Sequence, residues 1–415
     1  MSPTRRHFLK LGGLSVSLSG FAASMFSCSR SSRTALQDMT AGVTPLTPDD
    51  YQRRIGQARR LMTDYGLTGL LITPGSDLTY FTGVSWGLSE RLFGVVLPVR
   101  GTPFWICPAF ERERAQERLP ADADITVWQE HESPYALISR RLGVRGVLAA
   151  APSVRQFVLQ GLKRDAPRLD IQDGTPVTQT CRARKSDKEL AYMDLAASIT
   201  NRAYQEAFQS LRAGMTTAEF TGVIRTAHKN MGVSGGGFAL FGENSAYPHG
   251  TAKRRDLHDG DFILVDGGCS VEGYRSDVTR TVIFGTPTAK QQLVWDTVKK
   301  AQTAVFKAIE PGMTCGKLDT IARDIITAAG FGPGYRYFTH RLGHGIGLDG
   351  HEYPYLVKGN SLKLQPGMTF SNEPGIYIYG EFGVRLEDCF AVTDTGVRIL
   401  GGVQAESISR PFDKL

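Results

Sequence analysis

Residues 261 to 283 read DFILVDGGCSVEGYRSDVTRTVI, two apolar runs joined by a short segment that contains glycine. Both runs are rich in Val, Ile and Leu, a composition typical of β-strands. The pattern predicts Asp266 at the end of a buried strand and Asp277, 11 residues later, at the start of the next. A hairpin of that length brings two carboxylates together. Because an unpaired buried charge is very costly, two converging acids indicate a bound cation.

Three further segments supply one histidine and two glutamates, each beside an apolar run: HRLGHGIGLDGHE (340 to 352) with His344, NEPGIY (372 to 377) with Glu373, and GVRLEDC (383 to 389) with Glu387. Glycines around the histidine allow the backbone to approach a ligand closely. One imidazole and four carboxylates form an oxygen-rich set that suits manganese, cobalt or zinc. Four carboxylates also carry enough charge for two divalent ions, so the sequence predicts a dinuclear metal site.

The segments VDGG, YRSDVTRT, GHGIGLDGHE, EPGIY and GVRLED resemble the motifs of the pita-bread metallopeptidases. That family includes methionine aminopeptidase, Xaa-Pro aminopeptidase, prolidase and the metal-free creatinase. The similarity covers about residues 180 to 405, and a looser likeness to the creatinase-type N-terminal domain covers about 46 to 175. The resemblance implies an α/β (α+β) protein, in which a small α/β domain precedes a pita-bread catalytic domain of two pseudo-symmetric halves.

The resemblance also implies a role for each matching position. It makes Asp277 and Glu387 the bridging ligands, assigns Asp266 to one metal ion, and assigns His344 and Glu373 to the other. The positions that match the family's catalytic residues are Glu373 as the proton carrier, the substrate-site histidines His249, His340 and His351, and Arg385 beside the second bridging glutamate.

The family resemblance implies hydrolysis of the peptide bond before proline, by a hydroxide that bridges two divalent metals, with manganese the first choice. Prolidases resemble one another in an arginine that holds the dipeptide carboxylate, between the ligand histidine and the EPG glutamate. Here residues 348 to 372 contain Lys358 and Lys363 but no arginine, and a lysine lacks the bidentate guanidinium fork. We therefore expect an Xaa-Pro aminopeptidase acting on small peptides with proline second, with a prolidase as the alternative.

Other functions on the same fold stay open: a metal-free creatinase-like hydrolase, a non-catalytic binding protein, and a carbon–sulfur or carbon–nitrogen lyase. The first two should have lost metal ligands, and all five are present. The resemblance further implies a homodimer or a higher homo-oligomer. A glycine-rich stretch, GVSGGGFALFGENS (232 to 245), lacks the acid and the Walker lysine of nucleotide-binding motifs. We interpret it as a loop bordering the substrate cleft.

Residues 1 to 28 have the pattern of a signal peptide of the twin-arginine type. TRRHFLK (4 to 10) places Arg5 and Arg6 before an apolar stretch that is too short to span a membrane. Cys28 follows an imperfect lipoprotein cleavage pattern, which makes it a candidate for a lipid anchor, and residues 29 to 46 predict a flexible tether. We expect an exported, periplasmic protein, membrane-anchored if Cys28 is acylated.

A chain of 415 residues is long enough for two domains. From residue 47 to 175, helix-like stretches alternate with apolar runs, which predicts a small α/β domain. We place the boundary in the polar segment 174 to 185, so that residues 176 to 410 form the catalytic domain. Ser186 with Glu189, and Thr216 with Glu219, have capping-box spacing and predict two helices.

Two segments of the second domain resemble each other: LRAGMTTAEFTGVIRTAHKNMG (211 to 232) and IEPGMTCGKLDTIARDIITAAG (309 to 330). Two glycines, a methionine and a threonine coincide at an offset of 98 residues. The repeat predicts a catalytic domain of two related halves with the site between them.

Charge and cysteine usage exclude two other classes of protein. The net charge is +7, but five Lys and Arg and one Asp lie in the first 38 residues, so the remaining chain carries only +3. No basic cluster with interleaved aromatics follows, so we expect no nucleic-acid partner. The six cysteines form no CxxC pair, which argues against a zinc knuckle or a disulfide scaffold.

Overall fold

A six-stranded mixed sheet forms the centre of the first domain in the computed structural model, which describes residues 36–143, 145–402 and 404–412. The predicted signal peptide and Cys28 lie outside the described residues. The elements are α1 (Pro48–Asp64), β1 (Gly69–Ile72), α2 (Ser76–Thr82), β2 (Gly94–Pro98), β3 (Phe104–Pro108), α3 (Arg112–Gln116), β4 (Asp124–Trp128), α4 (Pro134–Leu142), β5 (Gly146–Ala150), α5 (Gln156–Asp165), β6 (Leu169–Asp173) and α6 (Thr175–Ala183).

The strand order of this sheet is β4-β3-β2-β1-β5-β6, with β2 antiparallel to both neighbours and the other pairs parallel. Every residue of β1 and β3 is buried. Strands that are covered on both faces need continuous apolar runs rather than alternation, as GLLI and FWICP provide. The predicted α/β domain is therefore the observed fold.

Helix α6 occupies the polar segment in which we expected the domain boundary. Its Val177 and Cys181 are fully buried in the core of the first domain. The helix begins with Pro176 in its first turn, where proline is tolerated because that amide has no intrahelical partner. We therefore propose a boundary after Ala183, later than the sequence suggested.

The last part of the expected tether is not a free linker. The backbone carbonyl oxygens of Thr44 and Pro45 accept hydrogen bonds from the side chains of Tyr192 and Lys188, at 2.5 and 2.6 Å. The backbone amide of Met39 donates to the carbonyl of Met231. Met39, Thr44 and Pro45, within the predicted tether, therefore bind polar groups of the catalytic domain through their backbone.

The catalytic domain contains two helix pairs and three sheets. Its elements are α7 (Asp187–Phe208), α8 (Thr217–Asn230), β7 (Gly235–Phe241), β8 (Phe262–Val271), β9 (Tyr274–Arg275), β10 (Val278–Ile283), α9 (Ala289–Ala308), α10 (Cys315–Ala328), β11 (Gly343–Gly345), β12 (Glu352–Leu356), β13 (Thr369–Asn372), β14 (Gly375–Ile378), β15 (Phe382–Arg385), β16 (Asp388–Val392) and β17 (Val397–Ile399). The sheets run β10-β8-β7 with β9 beside β8, β12-β11-β13-β16-β17, and β14-β15.

Both predicted capping boxes are present at the starts of α7 and α8. In each box the hydroxyl at the N-cap accepts from the backbone amide three residues later, and the glutamate there accepts from the N-cap amide at 2.8 Å. These contacts satisfy amides that a helix start otherwise leaves unpaired. The sequence thus predicted both helix starts correctly.

The internal repeat corresponds to a repeated structure. In the first half, the amide of Gly214 donates to the carbonyl of Leu257 at 2.7 Å, and the amide of Leu257 donates to Met215 at 2.9 Å. In the second half, the amide of Gly312 donates to the carbonyl of Leu364 at 2.9 Å, and the amide of Leu364 donates to Met313 at 2.8 Å. Helices α8 and α10 follow these bonds directly, which confirms the predicted pseudo-symmetric halves.

The glycine-rich stretch is a strand rather than the loop that we expected. It forms β7, which pairs with β8 along its whole length, with Gly237 opposite Gly267. A Cβ atom added to Gly237 would lie 2.3 Å from the carbonyl oxygen of Asp266. Glycine is therefore required because the two backbones approach too closely for a side chain.

Two further observations concern the described residues alone. None of their helices combines the length and the apolar character that crossing a membrane requires. The five described cysteines are all buried and unpaired, as the scattered spacing predicted.

Candidate metal centre

Asp266 and Asp277 are brought together by the antiparallel pairing of β8 and β10. Asp266 faces Thr279 across the pair, and Asp277 directly precedes β10. Asp266 lies in the middle of β8 rather than at its end, because the strand continues through the two glycines to Val271. The predicted convergence of the two carboxylates is nevertheless observed, since Asp277 enters β10 two residues before Thr279.

The second half of the domain supplies the other three predicted ligands. His344 lies on β11, Glu373 directly follows β13, and Glu387 directly precedes β16. The Nε2 atom of His344 lies 3.2 Å from Oε1 of Glu373 and 3.8 Å from Oδ2 of Asp277. The five residues therefore meet where the two halves join.

Three overlapping groups of potential ligand atoms form in this place, with all atoms of a group within 4.8 Å of one another. They are Asp266 with Asp277 and Glu387, His344 with Glu373 and Glu387, and Asp277 with His344 and His351. The first two groups share Glu387. The two groups would hold two adjacent cations, with Glu387 as a ligand common to both.

The chemistry of these side chains fits a bound cation. The Oε1 atom of Glu387 is buried and has no hydrogen-bond partner among the described residues. Four carboxylates lie together beside one guanidinium, that of Arg385, so ionising all four places like charges against one another. Such a cluster is unfavourable unless a positive ion compensates it.

Burial and mutual repulsion change the acidity of these groups. Burial and then the charge of Asp266 raise the pKa of Asp277, and burial and then Asp277 raise the pKa of Glu387. Burial also opposes ionisation of Glu373, but the hydrogen bond and charge of His344 lower its pKa to about 2. Of these three carboxylates, Glu373 is therefore the one that is most readily ionised.

The orientation of His344 leaves its Nε2 atom available as a ligand. Its Nδ1 lies 3.1 Å from the carbonyl oxygen of Gly345, an acceptor that requires a proton on Nδ1. Such a second contact fixes the tautomer of metal-binding histidines. Burial opposes protonation of His344, but the hydrogen bond and charge of Glu373 outweigh it and raise its pKa.

Arg385 is buried against the carboxylates, and each of its three guanidinium nitrogens donates to a protein acceptor. It donates to Oδ2 of Asp266 at 2.6 Å, to the hydroxyls of Thr279 and Tyr377 at 3.1 and 2.9 Å, and to the carbonyl of Pro248 at 3.1 Å. These contacts hold Asp266 in place. We therefore propose a positioning role for Arg385.

The hydrogen bond to Tyr377 continues to His340. The Nε2 atom of His340 lies 2.8 Å from the hydroxyl of Tyr377, and Nδ1 donates to the carbonyl oxygen of Arg341 at 2.8 Å. Burial lowers the pKa of His340 to about 4, against the opposing charge of Glu373. The imidazole is therefore neutral at pH 7, with the Tyr377 hydroxyl donating to it.

The remaining two predicted histidines lie at the edge of the cluster. The His351 ring stacks on that of His344, with centroids 3.6 Å apart. Burial, followed by the charges of His344 and other nearby cations, lowers the pKa of His351. His249 is exposed and follows Pro248, whose carbonyl binds Arg385. All five predicted ligands and the other predicted site residues are thus in one region of the structure.

The segment that carries His351 is anchored by buried ion pairs between the domains. Glu352 accepts from Nζ of Lys185 at 2.6 Å and also pairs with Arg182. Arg182 additionally pairs with Asp77 of the first domain, at 2.9 Å, and with Asp349, at 2.7 Å. The first domain therefore helps to fix the position of His351.

Sequence reasoning missed three side chains that support the ligands. Thr279 donates to Glu387 at 2.6 Å, Ser371 donates to Glu373 at 3.0 Å, and Tyr377 connects Arg385 to His340. Thr279 and Tyr377 belong to the quoted motifs YRSDVTRT and EPGIY. A search for hydroxyls next to predicted ligands would have found them.

Two family models match this chain. Metallopeptidase family M24 matches residues 191–394, and the creatinase/prolidase N-terminal domain matches residues 54–184. A curated relative named Probable dipeptidase PepE, from Mycobacterium bovis, is 36% identical over 370 residues, which are 87% of this chain and 97% of the relative. The chain belongs to metallopeptidase family M24. Members of M24 bind divalent metals, which agrees with the ligand groups described above.

Other M24 proteins resemble this chain to different degrees. The Xaa-Pro dipeptidase of Lactobacillus helveticus is 36% identical over 331 residues, covering 77% of this chain and 89% of that protein. The solved structure of dipeptidase PepE from Mycobacterium ulcerans matches with a TM-score of 0.81 and 34% identity, covering 86% of this chain and 97% of that one. The X-Pro aminopeptidase of Thermotoga maritima matches less closely, with a TM-score of 0.70 and 26% identity, covering 83% and 97%.

Proposed function

We propose that this M24 protein is a metal-dependent Xaa-Pro dipeptidase, a prolidase. The observation that carries the proposal is the 36% identity to each of two relatives, one named Xaa-Pro dipeptidase and the other named Probable dipeptidase PepE. The aminopeptidase match is more distant, at 26% identity. The comparisons thus favour the alternative over the aminopeptidase that we expected from the missing arginine.

The five-ligand cluster supports a hydrolytic mechanism. Asp266, Asp277, His344, Glu373 and Glu387 would hold two divalent ions, with manganese as our first choice for this oxygen-rich set. Two such ions supply polarisation of the scissile carbonyl and a lower pKa of water. The rest of the mechanism depends on the side chains of the protein.

Glu373 is suited to carry the proton from water to the leaving proline nitrogen. The hydrogen bond and charge of His344 keep the carboxylate of Glu373 ionised, which is the state that can accept a proton. Ser371 donates to its Oε1 and holds its carboxylate in position. His351 and His249 lie where their ring N–H groups could donate to the developing oxyanion and to the substrate backbone.

The neutral His340, hydrogen-bonded to the buried and uncharged Tyr377, contributes a surface that is less charged than the carboxylate cluster. The pKa of Tyr377 is raised to about 12 by burial, and that of His340 is lowered to about 4, so both are uncharged at pH 7. An uncharged pair is a suitable neighbour for the apolar proline ring. Binding there would orient the peptide nitrogen towards Glu373.

A substrate comparison tests the proposal. The protein, supplied with manganese, should hydrolyse alanyl-proline faster, by kcat/KM, than alanyl-prolyl-alanine, and a strong chelator should abolish both activities. Alanyl-alanine serves as the control for the proline requirement. A preference for the tripeptide would restore the aminopeptidase assignment. Absence of hydrolysis with manganese, cobalt and zinc in turn would contradict the metallopeptidase mechanism.

A further inference from the structure

A dipeptidase has to recognise the free carboxylate of the proline residue in its substrate. A positively charged side chain of the protein is expected to bind that carboxylate. A role for such a side chain rests on the proposed dipeptidase function. Residues 348 to 372 contain no arginine, and Lys358 and Lys363 are both exposed in the segment between β12 and β13. A cation must come from another part of the cleft.

Strand β12 supplies a residue next to the metal ligands. Tyr355 is the register partner of His344 in the antiparallel pair β11–β12. Directly opposed residues of such a pair have their side chains on the same face. The ring of Tyr355 therefore lies on the face that carries His344.

Arg341 places its guanidinium over this ring. Its Cζ lies 4.4 Å from the centroid of Tyr355, within the usual range of a cation–π contact. Its backbone carbonyl accepts the hydrogen bond from Nδ1 of His340, so the residue begins next to the neutral surface proposed for proline. The side chain is exposed, and among the described residues its guanidinium donates to no acceptor and pairs with no acid.

Three other cations near the candidate ligands are committed to protein acceptors. Arg385 binds Asp266, Arg182 binds three carboxylates, and Lys185 binds Glu352. A substrate carboxylate could reach them only by displacing a buried ion pair, which is strongly unfavourable. Arg341 is not restricted in this way.

We propose that Arg341, supported by Tyr355, binds the α-carboxylate of the dipeptide substrate. The guanidinium carbon lies over the tyrosine ring, and two N–H groups of the guanidinium would donate parallel hydrogen bonds to the carboxylate. This geometry replaces the arginine that the sequence lacks between His344 and Glu373. Arg341 is then the residue that separates dipeptides from longer or blocked peptides.

The test compares a dipeptide with its amide, which differs only in the loss of the carboxylate charge. Kinetic constants are measured for alanyl-proline and alanyl-prolinamide with the manganese-loaded protein. In Arg341→Gln the kcat/KM for alanyl-proline should fall by roughly ten- to a hundredfold, mainly through KM, as expected for a lost charged hydrogen bond. The preference for the dipeptide over the amide should largely disappear. Arg341→Lys should give an intermediate preference, because it retains the charge without the fork.

Arg336 provides a matched control, since it is another exposed arginine that stacks on a tyrosine, at 5.2 Å from the Tyr337 centroid. Arg336→Gln should keep the dipeptide preference. A binding readout is inhibition by free proline, whose inhibition constant should rise in Arg341→Gln but not in Arg336→Gln.

The outcomes separate the two proposals. If the wild-type protein hydrolyses no Xaa-Pro dipeptide, the proposed function is wrong. If it does, and Arg341→Gln retains both the dipeptide preference and the affinity for proline, the function stands and the role of Arg341 is rejected. Tyr355→Ala should behave like Arg341→Gln, and Tyr355→Phe should keep the dipeptide preference of the wild type. These two results together would show that the aromatic ring positions the Arg341 guanidinium.

Discussion

Thr279 and Glu387 join the two halves of the catalytic domain by both backbone and side chain. Each backbone amide donates to the carbonyl of the other residue, at 3.3 and 3.1 Å, and the Thr279 hydroxyl donates to Oε2 of Glu387 at 2.6 Å. The other carboxylate oxygen, Oε1, is buried without a partner among the described residues. One oxygen of Glu387 is thus fixed by the protein, and the other is left available for a cation.

Removing this hydroxyl should weaken metal binding without unfolding the protein. In Thr279→Val the affinity for manganese is expected to fall by roughly 10- to 100-fold, the usual effect of losing a contact that orients a ligand. Thr279→Ser keeps the hydroxyl and should bind nearly as tightly as the wild type. Titration of the metal-free proteins with manganese measures the difference, and equal affinity in all three would contradict the positioning role.

Asp277→Asn should leave a folded protein with little activity, because an amide lacks the charge that a bridging ligand needs. We expect kcat to fall by at least roughly a hundredfold, since loss of a ligand should exceed the loss of an outer contact. Asp324→Asn, a change of the same type at an exposed position of α10, is the control. Near-normal turnover of Asp277→Asn with metal still bound would remove the dinuclear model.

Arg280 should be essential for stability, because it binds Glu387 and Asp388 at the metal centre. It is fully buried, donates to Oδ1 of Asp388 at 2.6 Å and to the carbonyl of Glu387 at 2.8 Å. Arg280→Met should lower the free energy of unfolding by about 3 to 5 kcal/mol, because it leaves a buried carboxylate unpaired. Urea denaturation checks this value. The double variant with Asp388→Leu should recover part of the loss, and no recovery would argue against the ion-pair explanation.

The five candidate ligands could be found in the sequence because each lies in a short motif whose strand or turn is locally determined. Asp266 and Asp277 followed from one hairpin, and the repeat correctly indicated two halves. The pairing of Arg385 with Asp266 was not predictable in this way, since it spans 119 residues of the chain. The glycines of β7 were misinterpreted for the same reason: their requirement comes from the closeness of β8, which is visible only in the folded chain.

The start of α1 should make stability depend on pH in the acid range. Asp50 accepts from the amide and hydroxyl of Thr47, at 2.7 and 2.9 Å, and lies 3.3 Å from Nζ of Lys188. The hydrogen bond from the Thr47 amide is the main cause that lowers the pKa of Asp50 to about 2. A lowered pKa in the folded state means that Asp50 stabilises the fold above its unfolded value of 3.8, and that this effect is lost as the pH falls towards 2.

Asp50→Ala should therefore lower the free energy of unfolding by about 1 kcal/mol at pH 7, the typical contribution of a helix cap. The difference from the wild type should shrink below about pH 4. Urea denaturation at several pH values measures it, with Asp49→Ala, the exposed neighbour in the same turn, as the control. A difference that stayed constant down to pH 3 would show that the carboxylate charge is not the cause.

Export of the protein is predicted from residues that lie outside the described structure. Arg5 and Arg6 precede an apolar stretch in the order of a twin-arginine signal, a route for proteins that fold before translocation. Such a route would allow the metal to be acquired in the cytoplasm. Replacing both arginines with lysines should keep the precursor in the cytoplasm, as measured by cell fractionation. Unchanged periplasmic delivery would indicate the general secretion route.

Labelling with a radioactive fatty acid, lost in Cys28→Ala, would separately establish the lipid anchor, and absence of label in the wild type would exclude it.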